Sequence, residues 1–323
     1  MRIYSRIIGT GSHLPEKILT NRDLEKMVET NDQWIQDRTG IKQRHIAAEG
    51  ETTSTLAYEA AKKALQAADI TADELDMIVV GTTTPDLVFP STACLLQKQL
   101  GCTGIAAMDV NAACSGSVYA LSVADQYIRS GQHKTVLVIG AETLTRMVDW
   151  SDRTTCVLFG DGASAIVLRA DSEPGILSTH LHANGAHDDL LRASVGVSSG
   201  LQEAPNGGLR ILMKGNEVFK TAVLTLGRIV NETLEANNMQ PEDIDWLIPH
   251  QANLRIINAT AKKLKMDMNR VIVTVDQHGN TSAASVGLAL DKAIRDGKVK
   301  RGEVLLLEAF GGGFTWGSAL IKY

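Results

Sequence analysis

Asp109-Val110-Asn111-Ala112-Ala113-Cys114-Ser115-Gly116-Ser117, continuing through Val118-Tyr119-Ala120-Leu121 to Gly131, is the stretch on which the reading of this chain turns. Ile105 to Val110 has the character of a short apolar strand, small residues make the turn after it, and Ser117 to Arg129 carries apolar side chains around most of its circumference, as a buried helix does. Cys114 therefore falls where a strand hands over to a helix. Unpaired N–H groups and the dipole at a helix N-terminus favour the thiolate, the form that attacks carbonyl carbon. A free cysteine also packs readily as a small hydrophobe, so position alone leaves both roles open.

Working outward, the same pattern recurs half a chain away. Ala67 to Asp76 lines up without a gap on Ala236 to Asp245, a shift of 245 − 76 = 169, and Asp125 to Gly131 matches Asp291 to Gly297, a shift of 291 − 125 = 166. Thr135-Val136-Leu137-Val138-Ile139 pairs with Glu303-Val304-Leu305-Leu306-Leu307, and Phe159-Gly160-Asp161-Gly162 with Phe310-Gly311-Gly312-Gly313. Two copies of one α/β unit follow, divided here as residues 1–172 and 173–323. At the 166 shift Cys114 falls on Asn280, and at the 169 shift His250 falls on Gly81, just past the end of the strand Asp245 to Pro249. Ligands gather beyond the carboxyl ends of parallel strands, so packing the copies about a pseudo-twofold axis brings Cys114, His250 and Asn280 together. The helices after Cys114 and Asn280 are apolar nearly all round, which places them between two sheets.

At 323 residues and 44% hydrophobic the chain can bury a large core and exceeds the usual size of a single domain. Four cysteines at 94, 102, 114 and 156 lack the paired spacing of a zinc site and are too few for a disulfide scaffold, which indicates a reducing compartment and no metal. The opening residues hold no apolar run long enough for a signal peptide, and no later stretch would span a membrane, so a cytoplasmic protein is expected. A net charge of −5 argues against general nucleic-acid binding. Gly9-Thr10-Gly11 lacks the third glycine of a dinucleotide fingerprint and reads as a turn after the strand from Ile3. Residues 20 to 52 read as a polar insertion on the surface, with a helix near Asn31 to Arg38. His180 and His182 have strand spacing without a completing ligand set and are read as structural. Arg255, Lys262, Lys263 and Lys265 form a basic helical face beside His250, suited to an acidic partner.

Ala113-Cys114-Ser115-Gly116, Pro249-His250-Gln251-Ala252-Asn253, His278-Gly279-Asn280-Thr281-Ser282 and Phe310-Gly311-Gly312-Gly313-Phe314-Thr315-Trp316-Gly317 together resemble the thiolase-fold condensing enzymes. Within them the chain is similar, over essentially its full length, to the initiating β-ketoacyl-acyl-carrier-protein synthases III. The resemblance implies a five-layered αβαβα fold of two duplicated halves, working as a homodimer, and a decarboxylative Claisen condensation of acyl-CoA with malonyl-acyl-carrier protein. Acyl-CoA is then a substrate, and no cofactor is implied. Cys114 would carry the acyl group, with an oxyanion hole from its own N–H and that of Gly312. His250 and Asn280 would donate hydrogen bonds to the malonyl thioester oxygen, and Phe310 would shield that site.

The same resemblance assigns Trp34 and Arg153 to the adenine of CoA, and Thr30, Arg38, Asn216, Phe219 and Asn253 to its pantetheine and phosphate path. Thr154 stands where a glycine is common. Gln251, Ala252, Asn253, Leu254, Arg255, Lys262 and Lys263 would meet the acyl-carrier protein, and Phe89 would reach across the dimer into the partner's acyl pocket. A thiolase would have a second cysteine where this chain has Ala309-Phe310, and an elongating synthase a histidine in place of Asn280. Two alternatives stay open: a synthase of this fold using an aromatic or longer acyl-CoA, distinguished by the pocket around Phe89, and a non-catalytic subunit, against which the intact Cys114, His250 and Asn280 argue.

Overall fold

The computed structural model describes residues 3–200 and 208–323. One sheet contains β1 (Tyr4–His13), β2 (Met77–Gly81), β3 (Ala106–Val110), β4 (Thr135–Glu142) and β5 (Gly162–Asp171), in the spatial order β1-β5-β4-β2-β3. The other contains β6 (Ile176–Ala183), β7 (Trp246–Pro249), β8 (Val304–Gly311) and β9 (Thr315–Lys322), in the order β6-β9-β8-β7. The sense of pairing also repeats. β2 runs parallel to β4 as β7 does to β8, and the next two pairings, β4 with β5 and β5 with β1, match β8 with β9 and β9 with β6 in being antiparallel. Where β3 would have a counterpart, a single parallel bridge joins Leu247 to Val271. The strands beginning at Met77 and Thr135 recur at Trp246 and Val304, shifts of 246 − 77 = 169 and 304 − 135 = 169, so the duplication expected from the sequence is present in the fold.

Helices α1 (Asp32–Thr39), α2 (Thr53–Ala68), α3 (Thr92–Leu100), α4 (Gly116–Arg129), α5 (Gly215–Ala236), α6 (Leu254–Lys263) and α7 (Ser285–Arg295) complete the layers. α2 and α3 cover the outer face of the first sheet, α4 and α7 lie between the sheets, and α5 and α6 cover the second. The strand period of two explains why these strands read as unbroken apolar runs. Met77 and Val79 face the central layer with Leu121 and Leu290, whereas Ile78 and Val80 face Leu56 and Ala60 of α2. Each such side chain, once fully buried, contributes about 1.5–3 kcal/mol.

Two expectations change. Gly9 and Gly11 lie inside β1 rather than in a turn. A Cβ on Gly9 would come within 2.4 Å of the Ala64 carbonyl oxygen, and one on Gly11 within 2.4 Å of that of Ala60, so these glycines let α2 lie directly on the strand. Residues 20 to 52 are not a merely superficial insertion either. Leu24, Ile35 and Ile41 are fully buried, and the buried Arg44 guanidinium donates to the carbonyls of Leu19 and Val157 and to Asn21 Oδ1. Polar composition hid a segment that walls the site. His180 and His182 sit on β6 with His182 Nε2 2.9 Å from Glu232, and among the described residues no group of three potential ligands could hold a metal ion.

Candidate active site

Ala113–Ser115 form a single tight helical turn between β3 and α4, entered through Ala113 at φ 47°. The same turn recurs at Ser282–Ala284, entered through Ser282 at φ 49° and followed by α7. The shift between these turns is 282 − 113 = 169, which pairs Cys114 with Ala283 and Asn280 with Asn111. The pairing of Cys114 with Asn280 is therefore corrected. It carried back the register of the helix ends, but α4 has 14 residues and α7 has 11, and the three missing residues lie between helix start and helix end. The two side chains still reach one cavity.

Cys114 is buried beneath Gly311, whose hydrogen faces it; a Cβ there would lie 2.5 Å from the Cys114 nitrogen. Burial pushes the thiol up to about 11. The Ser282 hydroxyl and the N–H groups of Cys114 and Gly312 act in the opposite sense, and the Glu142 carboxyl adds to the rise. The helix field also favours the thiolate, yet it cannot offset complete removal from water, so Cys114 rests as a thiol. This reverses the protonation state expected from the helix position alone. The N–H groups of Cys114 and Gly312 converge beside the sulfur, where an oxyanion on an attached acyl carbon would form.

His250 follows β7, its N–H donating to the Glu308 carbonyl oxygen on β8. Its Nδ1 lies 2.6 Å from Ser285 Oγ, the first residue of α7. That hydroxyl oxygen also accepts the Gln251 N–H at 3.3 Å. With the serine proton given to Nδ1, the imidazole proton sits on Nε2. Burial lowers the His250 pKa to about 3, so the ring is neutral at physiological pH. Asn280 is oriented by its Oδ1 accepting the Ser282 N–H at 2.9 Å, which reserves the Nδ2 donors for the cavity. Ser282, Ser285 and Glu142 were missed from sequence. Their signals were faint: two serines in the run after Asn280, and an acid ending the apolar strand β4 opposite Thr82-Thr83-Thr84.

A cavity of about 390 Å³ contains Cys114, His250, Asn280 and Phe310 at its base and Trp34, Arg38, Asn216, Phe219, Ala252 and Asn253 along its walls. Phe310 packs on Phe314, ring centres 4.7 Å apart. α1 brings Trp34 to the mouth: Asn31 caps the helix by accepting the Trp34 N–H, and Gly40 ends it in the left-handed region against Leu254. The guanidinium groups of Arg38 and Arg153 lie 4.7 Å and 4.9 Å from the Trp34 ring centre. Thr154 lines the cavity as well. Thr30 does not, and its buried hydroxyl has no partner.

The basic face is partly as expected. Arg255 and Lys262 are exposed on α6, with Arg255 over the Phe219 ring at the cavity edge and Lys263 alongside Gly227 of α5. Gln251 is corrected: it is 1% exposed, donates to the Pro249 and Ile272 carbonyls and accepts from the N–H groups of Thr274 and Val275, so it knits loops together and cannot meet a partner. Leu254 is half-buried against Gly40, and Asn253 caps α6 through the Arg255 N–H. Phe89 is 82% exposed, with Leu87 and Val88 beside it.

Residues 108–185 match the family described as 3-oxoacyl-[acyl-carrier-protein] synthase III, and residues 234–323 match its C-terminal part. The beta-ketoacyl-[acyl-carrier-protein] synthase III of Xanthomonas campestris is 68% identical over 100% of this chain and 99% of that protein. The crystal structure of 3-oxoacyl-[acyl-carrier-protein] synthase III from Aquifex aeolicus is 50% identical, with a TM-score of 0.93 over 99% of this chain and 100% of that one. A priming β-ketosynthase from the R1128 polyketide pathway is 34% identical, with a TM-score of 0.94 over 99% and 96% of the two chains.

Proposed function

The chain belongs to the 3-oxoacyl-[acyl-carrier-protein] synthase III family of condensing acyltransferases, and we propose that it joins a short-chain acyl-CoA, acetyl-CoA foremost, to malonyl-acyl-carrier protein through Cys114, His250 and Asn280. The observation that carries the division of labour is the single cavity in which a thiol, a neutral imidazole and an amide meet. Cys114 sulfur attacks the acyl carbon and CoA leaves. Malonyl-acyl-carrier protein then loses carbon dioxide, and the resulting enolate attacks the acyl-cysteine to release 3-oxoacyl-acyl-carrier protein and the Cys114 thiolate, which takes up a proton from solvent. His250 Nε2–H and Asn280 Nδ2–H stabilise the enolate oxygen; decarboxylation makes the carbanion, so neither has to remove a carbon-bound proton. Phe310 screens the departing carboxylate from water, and no cofactor enters the scheme.

Trp34, Arg38, Arg153, Asn216, Phe219 and Asn253 form the CoA path in this reading, the adenine displacing Arg153 from the Trp34 face. The acyl-carrier protein docks on Arg255, Lys262 and Lys263 with Ala252 and Asn253 at the mouth. Reversing the charge of Arg255 and Lys262 together is expected to raise KM for malonyl-acyl-carrier protein and flatten its salt dependence, leaving acyl-CoA use nearly unchanged. Steady-state kinetics with each substrate varied in turn would check this. Equal loss with both substrates would locate the damage in the shared tunnel.

The primer reading rests on a second cavity of about 340 Å³ beside Cys114, lined by Thr83, Leu144, Met147, Leu191 and Ile211, and on the exposed Leu87-Val88-Phe89 loop. Burial of that loop in a homodimer would place Phe89 at the end of the partner's pocket, and the protein is read as cytoplasmic. Among the described residues no helix is long and apolar enough to cross a membrane. A phenylalanine there excludes long acyl chains by overpacking, at about 1–3 kcal/mol. The test is intact-protein mass after incubation with acetyl-, butyryl- and octanoyl-CoA, followed by kcat/KM for each with the wild type and Phe89→Ala. The variant is expected to gain on octanoyl-CoA by about tenfold or more. A wild type that prefers octanoyl-CoA would favour the longer-chain synthase instead.

A further inference from the structure

Glu142 ends β4 as a completely buried carboxyl, and it takes no part in the scheme above. Its surroundings fix its hydrogen-bonding role. Thr84 Oγ1 already accepts the Thr143 N–H at 2.9 Å and Thr82 Oγ1 accepts the Thr84 N–H at 3.1 Å, so both hydroxyl protons point to Glu142 Oε2, at 2.6 Å and 3.3 Å. The Thr83 N–H donates to both carboxylate oxygens at 3.2 Å. These donors favour the ionised carboxyl, in opposition to burial. Its Oε1 accepts from Ser282 Oγ at 3.1 Å, and Ser282 lines the second cavity beside Cys114, where its hydroxyl opposes the rise of the thiol. Ser282 therefore stands between a buried carboxyl and a buried thiol.

We propose that the Cys114 proton leaves through Ser282: the thiol proton passes to Ser282 Oγ as the serine's own proton passes to Glu142. The inference rests on Cys114 being the acyl acceptor. As the sulfur bonds to the acyl carbon, the bond from that carbon to the CoA sulfur breaks with its electron pair. The proton held on Glu142 returns through Ser282 to the leaving CoA thiolate, so thiol plus acyl-CoA becomes acyl-cysteine plus CoA thiol with no net charge. Burial holds the Glu142 carboxyl above the usual carboxylate range, which makes it a stronger base. The other titratable groups lining the two cavities at Cys114 are His250, Arg38 and Arg255 in the first and Asp188 and Arg192 in the second, and the His250 ring is engaged at Nδ1 by Ser285. Ser282 is the group proposed to meet the sulfur; Glu142 acts through it.

The relay and simple electrostatics predict opposite outcomes for Glu142→Gln. Removing a negative charge beside the sulfur favours the thiolate and would speed acylation, whereas removing the proton acceptor slows it. Single-turnover acylation by acetyl-CoA would be followed from pH 6 to 9 in the wild type, Glu142→Gln, Glu142→Asp and Ser282→Ala, with circular dichroism on each. Ser282→Ala and Glu142→Gln are expected to acylate at least about tenfold more slowly at pH 7, within the range of general acid–base contributions. The deficit should narrow toward pH 9 as hydroxide replaces the internal base, and Glu142→Asp should recover part of the rate. A rate for Glu142→Gln at or above that of the wild type overturns the relay, as does full activity of Ser282→Ala or a deficit independent of pH. Should Glu142→Gln fail to fold, Ser282→Ala decides alone. A wild type that takes no acyl group on Cys114 overturns the nucleophile assignment and the relay with it.

Discussion

Replacement of Cys114 by serine is expected to abolish acyl-enzyme formation, with a loss of at least about a thousandfold in the rate of acyl transfer. The site already resists ionisation of a thiol, which burial holds at about 11. A serine hydroxyl in the same dry position is a much weaker acid and a poorer nucleophile, and the two N–H groups beside it cannot make up the difference. Mass spectrometry after incubation with acetyl-CoA should show the acetyl increment on the wild type and none on the variant. An increment that survives would point to another cysteine. None of the three is well placed: Cys156 is fully buried and pushed up to about 11, Cys102 is buried with its thiol pushed up by burial, and Cys94 on α3, like Cys102, lies outside the cavity.

The second large effect separates the two half-reactions. His250→Ala or Asn280→Ala should leave acylation of Cys114 largely intact while slowing malonyl decarboxylation by about a hundredfold or more, the cost of one oxyanion donor, about 2.7–4 kcal/mol. Release of carbon dioxide from malonyl-acyl-carrier protein, measured beside acyl-enzyme mass, reads the two steps independently. The pH profile adds a sign. A pKa lowered to about 3 means that protonation is disfavoured in the folded protein, so His250 is neutral throughout pH 6 to 8 and should contribute no limb to the decarboxylation rate there. A limb near pH 6.5 that disappears in His250→Ala would show a titrating imidazole and contradict the donor role. Collapse of acylation together with decarboxylation would contradict the division of labour.

The duplication and the layer order were legible because two physical signals survive without a structure. Strands buried on both faces must be apolar at every position, and a repeated unit repeats its strand and turn residues at a constant offset. β2, β4 and their counterparts β7 and β8 were found in this way. Where the signal misled, a local rule met a tertiary contact. Gly9 and Gly11 resembled turn residues but serve the close approach of α2, and the helix-end match concealed three residues lost from α7. Gln251 sat in a motif with a basic face yet spends both polar atoms of its side chain on neighbouring backbone.

By itself the sequence determined the α/β duplication and the family, since these depend on residue type, spacing and repetition; it pointed Cys114, His250 and Asn280 to one site through their places after strands, although the offset that paired Cys114 with Asn280 was three residues out. Only the tertiary structure decided their protonation states. Whether Cys114 rests as thiol or thiolate depends on the balance between a helix field, present in any such turn, and the loss of water beneath Gly311, which needs two distant segments in contact. The tautomer of His250 likewise depends on Ser285, 35 residues away. Pattern along a chain identifies which groups can react. The proton each one holds is set by burial and by hydrogen-bond partners brought together from different parts of the fold, and no short-range spacing encodes that.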